Sequence, residues 1–518
     1  MTGQDRFRAS SRPARALMFQ GTGSDVGKSL LVAGLCRAFA RQGLRVRPFK
    51  PQNMSNNAAV AALRTGAGTG EIGRAQALQA RACGVAPTVD MNPVLLKPTT
   101  DVGSQVVVQG RVLTNASARD YMRLKPSLLP QVLDSFSFLC ADADLVLIEG
   151  AGSAAEVNLR AADIANMGFA EAADVPVVLI GDIDRGGVLA SVVGTHALIS
   201  ESERARTKGY LINKFRGDPR LFDPALDIIA GHTGLPCLGV VPWFSQASAL
   251  PAEDAVALDR QGLSAGEGLH IVVPRLPRIS NFDDLDPLRA EPGVRLSLLV
   301  PGQPLPVDAD VVLLPGSKAT RADLEALCHN GWDIDILAHV RRGGRVIGLC
   351  AGFQMLGRWV HDPDGREGAP GSTPGLGLLD LETTMTAEKA LIEITAHDDR
   401  TGCDLRGYEM HMGRTDGAAL DRPWFVLDGR PEGAVSADGR VRGSYLHGVF
   451  AADSFRRTLL RELGSSVAGS VAYERQVEDT LESLADHLTH HLSLEALWQM
   501  ATGAGKGHQA PVAGFSSQ

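Results

Sequence analysis

The chain has 518 residues with 51 Lys plus Arg against 59 Asp plus Glu, a formal net charge of −8, and no Lys/Arg-rich block. That balance argues against a nucleic-acid or anionic-membrane partner, while 44% apolar and 21% charged residues exclude disorder over most of the length. At roughly 100–200 residues per domain, two large domains or three are predicted. No apolar run approaches the ~20 residues of a membrane-spanning helix. Met1–Arg15 is followed by no signal-like apolar core, and the seven cysteines form no C-x-x-C pair. We therefore expect a cytoplasmic protein with reduced thiols and no zinc ribbon.

In chain order, short apolar runs alternate with helical stretches. Strands are predicted at Ala16–Gln20, Arg45–Lys50, Leu145–Glu149, Val175–Asp182, Gly209–Phe215 and Cys237–Val241. Several are apolar on both faces, as a covered parallel sheet requires. The first domain is expected over residues 16–245, and a linker over 246–268, rich in Ala, Ser, Gly and acidic residues. The alternation restarts at His270–Pro274, Val294–Val300, Asp310–Leu314 and Arg345–Leu349. Later strands near Glu382–Thr395 and Val441–Tyr445 predict a mixed sheet. A second domain over 269–464, a helical segment over 465–500 and a flexible tail over 501–518 complete the expected organisation. The β-α-β order predicts two doubly wound α/β domains.

The first strand runs into Gly21-Thr-Gly-Ser-Asp-Val-Gly-Lys-Ser29, which opens the helix Leu30–Arg41. A glycine-rich turn (Gly23, Gly27) at a helix N-terminus offers backbone N–H groups to phosphate oxygens. Lys28 then reaches the β/γ phosphates of ATP, and the Ser29 hydroxyl ligates Mg²⁺. The loop is one residue longer than the strict P-loop spacing. Glu149, at the end of an apolar strand, suits a second Mg²⁺ ligand. Asp182-Ile-Asp184-Arg185 places two carboxylates and a guanidinium at the same edge. Such a loop can hydrolyse ATP for motion or transfer its γ-phosphoryl group, and these residues do not choose.

In the second half, Arg345-Val-Ile-Gly348-Leu-Cys350-Ala-Gly352-Phe-Gln354 sets a cysteine between strand and helix. The G-x-C-x-G frame permits the tight turn of a nucleophile elbow. The helix N-terminus after it favours a thiolate and offers the Ala351 N–H to an oxyanion. Leu314-Pro-Gly316 ends another strand and could supply a second oxyanion donor. For the base, His447 is the first candidate and His411 the second. His487, His490 and His491 have near-ligand spacing but read better as a solvated helix end.

Both sites are embedded in longer stretches: Pro48-Phe-Lys-Pro-Gln-Asn-Met-Ser-Asn-Asn57, Glu71-Ile-Gly-Arg-Ala-Gln76, Asp182–Gly187, Ile212-Asn-Lys-Phe-Arg-Gly217, Leu276-Pro-Arg-Ile-Ser-Asn-Phe282 and Gly407-Tyr-Glu-Met-His-Met-Gly413. On these the chain, from about Ala16 to Leu494, resembles the cobyric acid synthase family, glutamine-hydrolysing amidases of cobalamin biosynthesis. Its N-terminal half resembles the dethiobiotin-synthetase-like P-loop ATPases and its C-terminal half the class I glutamine amidotransferases. The resemblance implies amidation of the b, d, e and g carboxylates of adenosylcobyrinic acid a,c-diamide, with ATP, Mg²⁺ and glutamine. It implies that Cys350 is the nucleophile and His447 its base. Class I amidotransferases place a Glu two residues after this His, whereas here Val449 stands there, so a dyad is expected, with His447 oriented by an unidentified group. The resemblance further implies metal-binding roles for Glu149 and Glu71, a catalytic role for Lys50, and an adenine-reading role for Asn213. Asn53, Asn56 and Arg74 are expected in the wall of a corrinoid cleft. The rival readings are another glutamine-dependent amidoligase, with the a,c-diamide synthase first, and a regulatory or partitioning ATPase. The latter carries a second loop Lys where Gly23 stands here.

Overall fold

Strands that are apolar on both faces are stable only between two covering layers. In the computed structural model, which describes residues 14–99, 103–253, 258, 268–465 and 471–503, they assemble accordingly. The first sheet contains β1 (Arg15–Gly21), β2 (Val46–Phe49), β3 (Leu145–Ser153), β4 (Val177–Asp182), β5 (Thr207–Phe215) and β6 (Cys237–Pro242). Its order is β6-β5-β4-β1-β3-β2, with every one of these pairings parallel. The central β1 feeds the phosphate loop, which therefore opens at the carboxyl edge of the sheet, where the strand order reverses.

Between β2 and β3 the structure holds strands that the sequence pattern did not reveal. A small sheet joins Gln52–Met54, Val94–Pro98, Gly103–Val108 and Arg111–Ser117, and a hairpin pairs Ala58–Ala62 with Thr69–Gly73. Ala-Ala-Val-Ala-Ala is a poor strand former alone. It is held by its partner strand and by packing of Ala58 and Val60 with Tyr408 and Met410 of the second domain.

The second parallel sheet contains β7 (Leu269–Pro274), β8 (Val294–Leu299), β9 (Val311–Leu314), β10 (Arg345–Leu349) and β11 (Val441–Ser444), in the order β8-β7-β9-β10-β11. Ala434–Val435 closes one edge antiparallel. The later strands do not simply extend this sheet. The long hairpin Glu382–Asp398/Cys403–Asp416 forms a separate sheet with Trp359–Asp362, Gly371–Pro374 and Leu446–His447.

The C-terminal segment returns to the first domain. Helix Tyr473–His491 lays Val477, Leu481, Leu484 and Leu488 on helix Lys28–Ala40. Each of these side chains is at most 1% exposed, and burial of each contributes roughly 1.5–3 kcal/mol. A Cβ on Gly34 would stand 2.6 Å from Leu488 Cδ1, so a glycine is what lets the helices approach. Arg37–Glu478 and Arg41–Asp486, both at 2.6 Å, rim the contact. Thr502–Gly503 then pairs antiparallel with Arg15–Ala16. The single helical stretch expected to Met500 is broken at Leu492–Ser493, where the Ser493 hydroxyl accepts the Ala496 N–H and starts a new helix, Leu494–Met500. His487 Nε2 bonds the Pro242 carbonyl at 3.0 Å, and among the described residues no group of three or more His, Cys, Asp or Glu is arranged to hold a metal. Residues 254–257 and 259–267 of the expected linker, and 504–518 of the expected tail, lie outside the described residues. No described helix is long and apolar enough to cross a membrane.

Candidate active site

At the first centre the phosphate loop turns through Gly27 at φ +94°, a left-handed conformation that glycine adopts without strain. A Cβ there would also lie 2.3 Å from the Asn213 amide nitrogen. Lys28 Nζ donates to the carbonyls of Gly23, at 3.2 Å, and Gly152, at 2.8 Å, which folds the ammonium back over the loop. Burial lowers the Lys28 pKa, and Glu149 partly offsets that. Lys50 lies beside it, 2.8 Å from Glu149. Burial alone would lower the Lys50 pKa, but the carboxylates of Glu149 and Glu253 raise it.

Glu253, just after the first domain, was not foreseen as a site residue. Its carboxylate is 2.5 Å from the Ser29 hydroxyl and pairs with Lys50, while Glu149 is 2.7 Å from the same hydroxyl. A hydroxyl has one proton to donate, so two carboxylates crowd one oxygen. Burial works against ionising Glu253, yet Lys50 holds its pKa below the ordinary value. This hard-oxygen cluster fits a divalent cation such as Mg²⁺. The cleft beside it has a volume of about 1370 Å³ and is lined by Lys28, Lys50, Asn53, Tyr121, Glu149 and Arg289, among others.

Other expected residues fall elsewhere. Asn213 donates its amide to the Val26 carbonyl at 2.8 Å and so braces the loop. It is not among the residues that line the cleft. Asn56 donates to Pro98 O at 3.1 Å, outside the cleft wall. Asp182 pairs with Lys214, Asp184 with Arg216 and Arg185 with Asp25, so the Asp182–Arg185 turn is a rim of ion pairs. Glu71 is corrected outright as a metal ligand. Both of its oxygens are taken, by Lys97 at 2.8 Å and Lys389 at 2.5 Å, away from Ser29 and Glu149. Burial opposes its charge, but the two lysines hold its carboxyl well below the usual range. Arg74 is corrected as a cleft residue: it crosses to the second domain, bonding the Tyr408 hydroxyl at 2.5 Å and Asp283 at 3.1 Å.

At the second centre Cys350 sits between β10 and helix Ala351–Met355 with φ +52° and ψ −108°, a strained conformation for a residue with a side chain. Its N–H is held by the Ser444 carbonyl at 2.8 Å. The Ala351 amide follows directly at the helix start, where N–H groups have no partner within the helix. Gly316 pairs with Ser280, and a Cβ on it would lie 3.0 Å from His447 Cε1, a tight approach that brings this strand end close to the histidine. Gln354 is locked by Thr320, Met412 O and Tyr445.

His447 is fully buried on the short strand Leu446–His447, opposite Tyr408, whose ring stacks on it at 5.2 Å. Its Nδ1 lies 2.6 Å from Asp284 Oδ2, and the Gly448 N–H bonds the other Asp284 oxygen at 2.5 Å. Among the described residues its Nε2 has no partner at full hydrogen-bond geometry, and Cys350 is close enough to favour the imidazolium by its charge and by hydrogen bonding. Burial disfavours the imidazolium, but Asp284 and Cys350 outweigh it and push the pKa up to about 10. The group that was missing from the sequence reading is thus Asp284. His411, the alternative base, stacks face to face on Tyr445 at 3.6 Å and approaches Glu409 rather than an orienting aspartate.

A phosphate-binding loop with a hard-oxygen cluster and a Cys–His–Asp elbow now stand in one chain. Together they define an ATP-using glutamine amidotransferase ligase. Residues 17–257 match the CobQ/CobB/MinD/ParA nucleotide binding domain, and residues 270–455 the CobB/CobQ-like glutamine amidotransferase domain. The cobyric acid synthase of Paracoccus denitrificans is 60% identical over 94% of this chain and 99% of that protein. That of Methylobacterium nodulans is 60% identical over 95% of this chain and 100% of that protein. The chain belongs to the cobyric acid synthase family.

Proposed function

We propose that this chain amidates the b, d, e and g carboxylates of adenosylcobyrinic acid a,c-diamide, using ATP and ammonia drawn from glutamine. The single observation that carries the reading is the pairing of the Ser29–Glu149–Glu253 cluster with the Cys350–His447–Asp284 set in one chain. A carboxylate resists attack by ammonia because oxide is a poor leaving group. Attack of the carboxylate oxygen on the γ-phosphorus releases ADP and leaves an acyl phosphate, from which ammonia can displace phosphate. Lys28 offsets the charge that gathers as the two anions meet. Ser29, Glu149 and Glu253 would hold Mg²⁺, which when bound neutralises phosphate charge. The cleft exceeds the usual 300–1,000 Å³ of a small-ligand site, which suits a corrinoid beside a nucleotide.

Ammonia is mostly ammonium at neutral pH, so the nucleophile is made on site. The Cys350 thiolate attacks the glutamine amide carbon, and the Ala351 and Gly316 amides are the proposed oxyanion donors. The His447 imidazolium protonates the departing nitrogen, NH₃ leaves, and water then hydrolyses the γ-glutamyl thioester to glutamate. The deciding experiment is mass spectrometry of the corrinoid after incubation with MgATP and ¹⁵N-amide glutamine. A product with four heavy nitrogens is expected. Glutamine hydrolysis with unchanged corrinoid would mean that another acid is the acceptor. Lys28→Ala is expected to slow amidation about 10²–10³-fold from glutamine and ammonium alike; unchanged turnover would remove Lys28 from its role.

A further inference from the structure

The cavity beside Cys350 has a cationic wall that attack on the amide does not itself require. Three lysines line it: Lys318, on the turn after Gly316–Ser317; Lys389, on the long hairpin; and Lys97, on the strand Val94–Pro98 of the nucleotide-binding half. Lys97 and Lys389 are both anchored by Glu71. Lys318 is different. It is 8% exposed, and its ammonium has no hydrogen bond or ion pair among the described residues. Burial lowers its pKa, with the Glu367 carboxylate as the leading opposing charge. Glu367 lines the same cavity and accepts the Thr320 N–H at 2.7 Å.

A buried ammonium without an anionic partner is costly unless a ligand completes it. Around this cavity three ammoniums face two carboxylates, Glu71 and Glu367. Glutamine carries an α-carboxylate and an α-ammonium at the end remote from its reacting amide. A lone cation beside a carboxylate is the complement of that zwitterion. We propose that Lys318 binds the α-carboxylate of glutamine and Glu367 its α-ammonium, in a cationic wall that Lys97 carries across from the nucleotide-binding domain. The proposal rests on the reading of Cys350 as the glutaminase nucleophile. It makes glutamine selection depend on both domains, because the Glu71-held Lys97 belongs to one and Cys350 to the other.

The test uses the full chain and two alkylating probes. 6-Diazo-5-oxo-L-norleucine has the α-carboxylate and α-ammonium of glutamine, and iodoacetamide has neither. In Lys318→Met the concentration of the norleucine probe giving half-maximal inactivation should rise about 10–100-fold, as loss of a charge-assisted contact predicts. Alkylation by iodoacetamide and amidation from ammonium should stay within about twofold. Lys318→Arg should recover most of the loss, and the preference for glutamine over its α-methyl ester should collapse in Lys318→Met only. Equal sensitivity of Lys318→Met and the unmodified chain to the norleucine probe, with iodoacetamide unchanged, would overturn the subsite. If iodoacetamide labels Cys350 in the unmodified chain but the norleucine probe does not, the glutaminase reading itself falls, and the subsite with it.

Discussion

Cys350→Ala should abolish amidation from glutamine, by about 10⁴-fold or more, and leave amidation from added ammonium close to normal. The split follows from where the residue sits. Cys350 lies at the end of β10, in the second domain, and touches neither the phosphate loop nor the Ser29–Glu149–Glu253 cluster. Alanine removes the sulfur while keeping the Cβ, and the turn's positive φ at Cys350 stays as it is. Without the thiolate no thioester forms, so glutamine yields no ammonia. The acyl phosphate can still form and be captured by ammonia from solution. The measurement is product formation with each nitrogen source at pH 8–9, where more of the added ammonium is free base. Loss of both activities would refute the assignment of separate sites.

Asp284→Asn should cut glutamine-dependent turnover by about 10³–10⁴-fold, the scale seen when the aspartate of a nucleophile–His–Asp set is neutralised. Asparagine keeps the shape and can still accept one hydrogen bond, so the fold should survive. What changes is charge and tautomer. The folded-state pKa of His447 is raised to about 10, first against burial and then by Asp284 and Cys350. An imidazolium with a raised pKa is retained as pH climbs, until pH passes that value. Removing Asp284 lowers the His447 pKa, so the imidazolium is lost at a lower pH and the thiolate loses its counter-charge. The alkaline limb of glutamine hydrolysis, where the His447 imidazolium is lost, should therefore move to lower pH. Ammonium-driven amidation should be spared. A pH profile that does not move would show that Asp284 only supports the fold.

Much of this arrangement was legible in the sequence because it is local. The phosphate loop is a contiguous run in which strand, glycines, Lys28 and Ser29 announce one another, and the elbow around Cys350 has the same character. The strands that feed them are apolar on both faces and read clearly. The long-range partners were not legible. Asp284 is 163 positions from His447, and no spacing rule links an aspartate after Phe282 to a histidine that distant. The signal available was the acidic pair Asp283–Asp284 directly after the distinctive stretch ending at Phe282. Glu253 was hidden because an acidic residue in an Ala/Ser-rich connection looks like solvated linker. Glu71 misled because its neighbours looked functional; only the fold reveals that Lys97 and Lys389 consume its charge. The strands between β2 and β3 were missed because their pairing is imposed by packing against Tyr408 and Met410, from the other half of the chain.

The return of the C-terminal segment sets the order in which this protein can be completed. A ribosome releases the N-terminal half first, and domains generally fold as they emerge. Here the apolar face of helix Lys28–Ala40 is covered by Tyr473–His491, and the start of β1 is paired by Thr502–Gly503. Those residues are synthesised after the entire glutamine-binding half. The nucleotide domain must therefore wait, with the helix surface at Gly34 short of the Leu484 and Leu488 side chains that cover it, while the second domain is made. A stop codon before Tyr473 would spare the phosphate loop, the Ser29–Glu149–Glu253 cluster and the Cys350–His447–Asp284 set, yet it would strip Tyr473 and Gln476 from the cleft wall and leave the nucleotide domain unfinished.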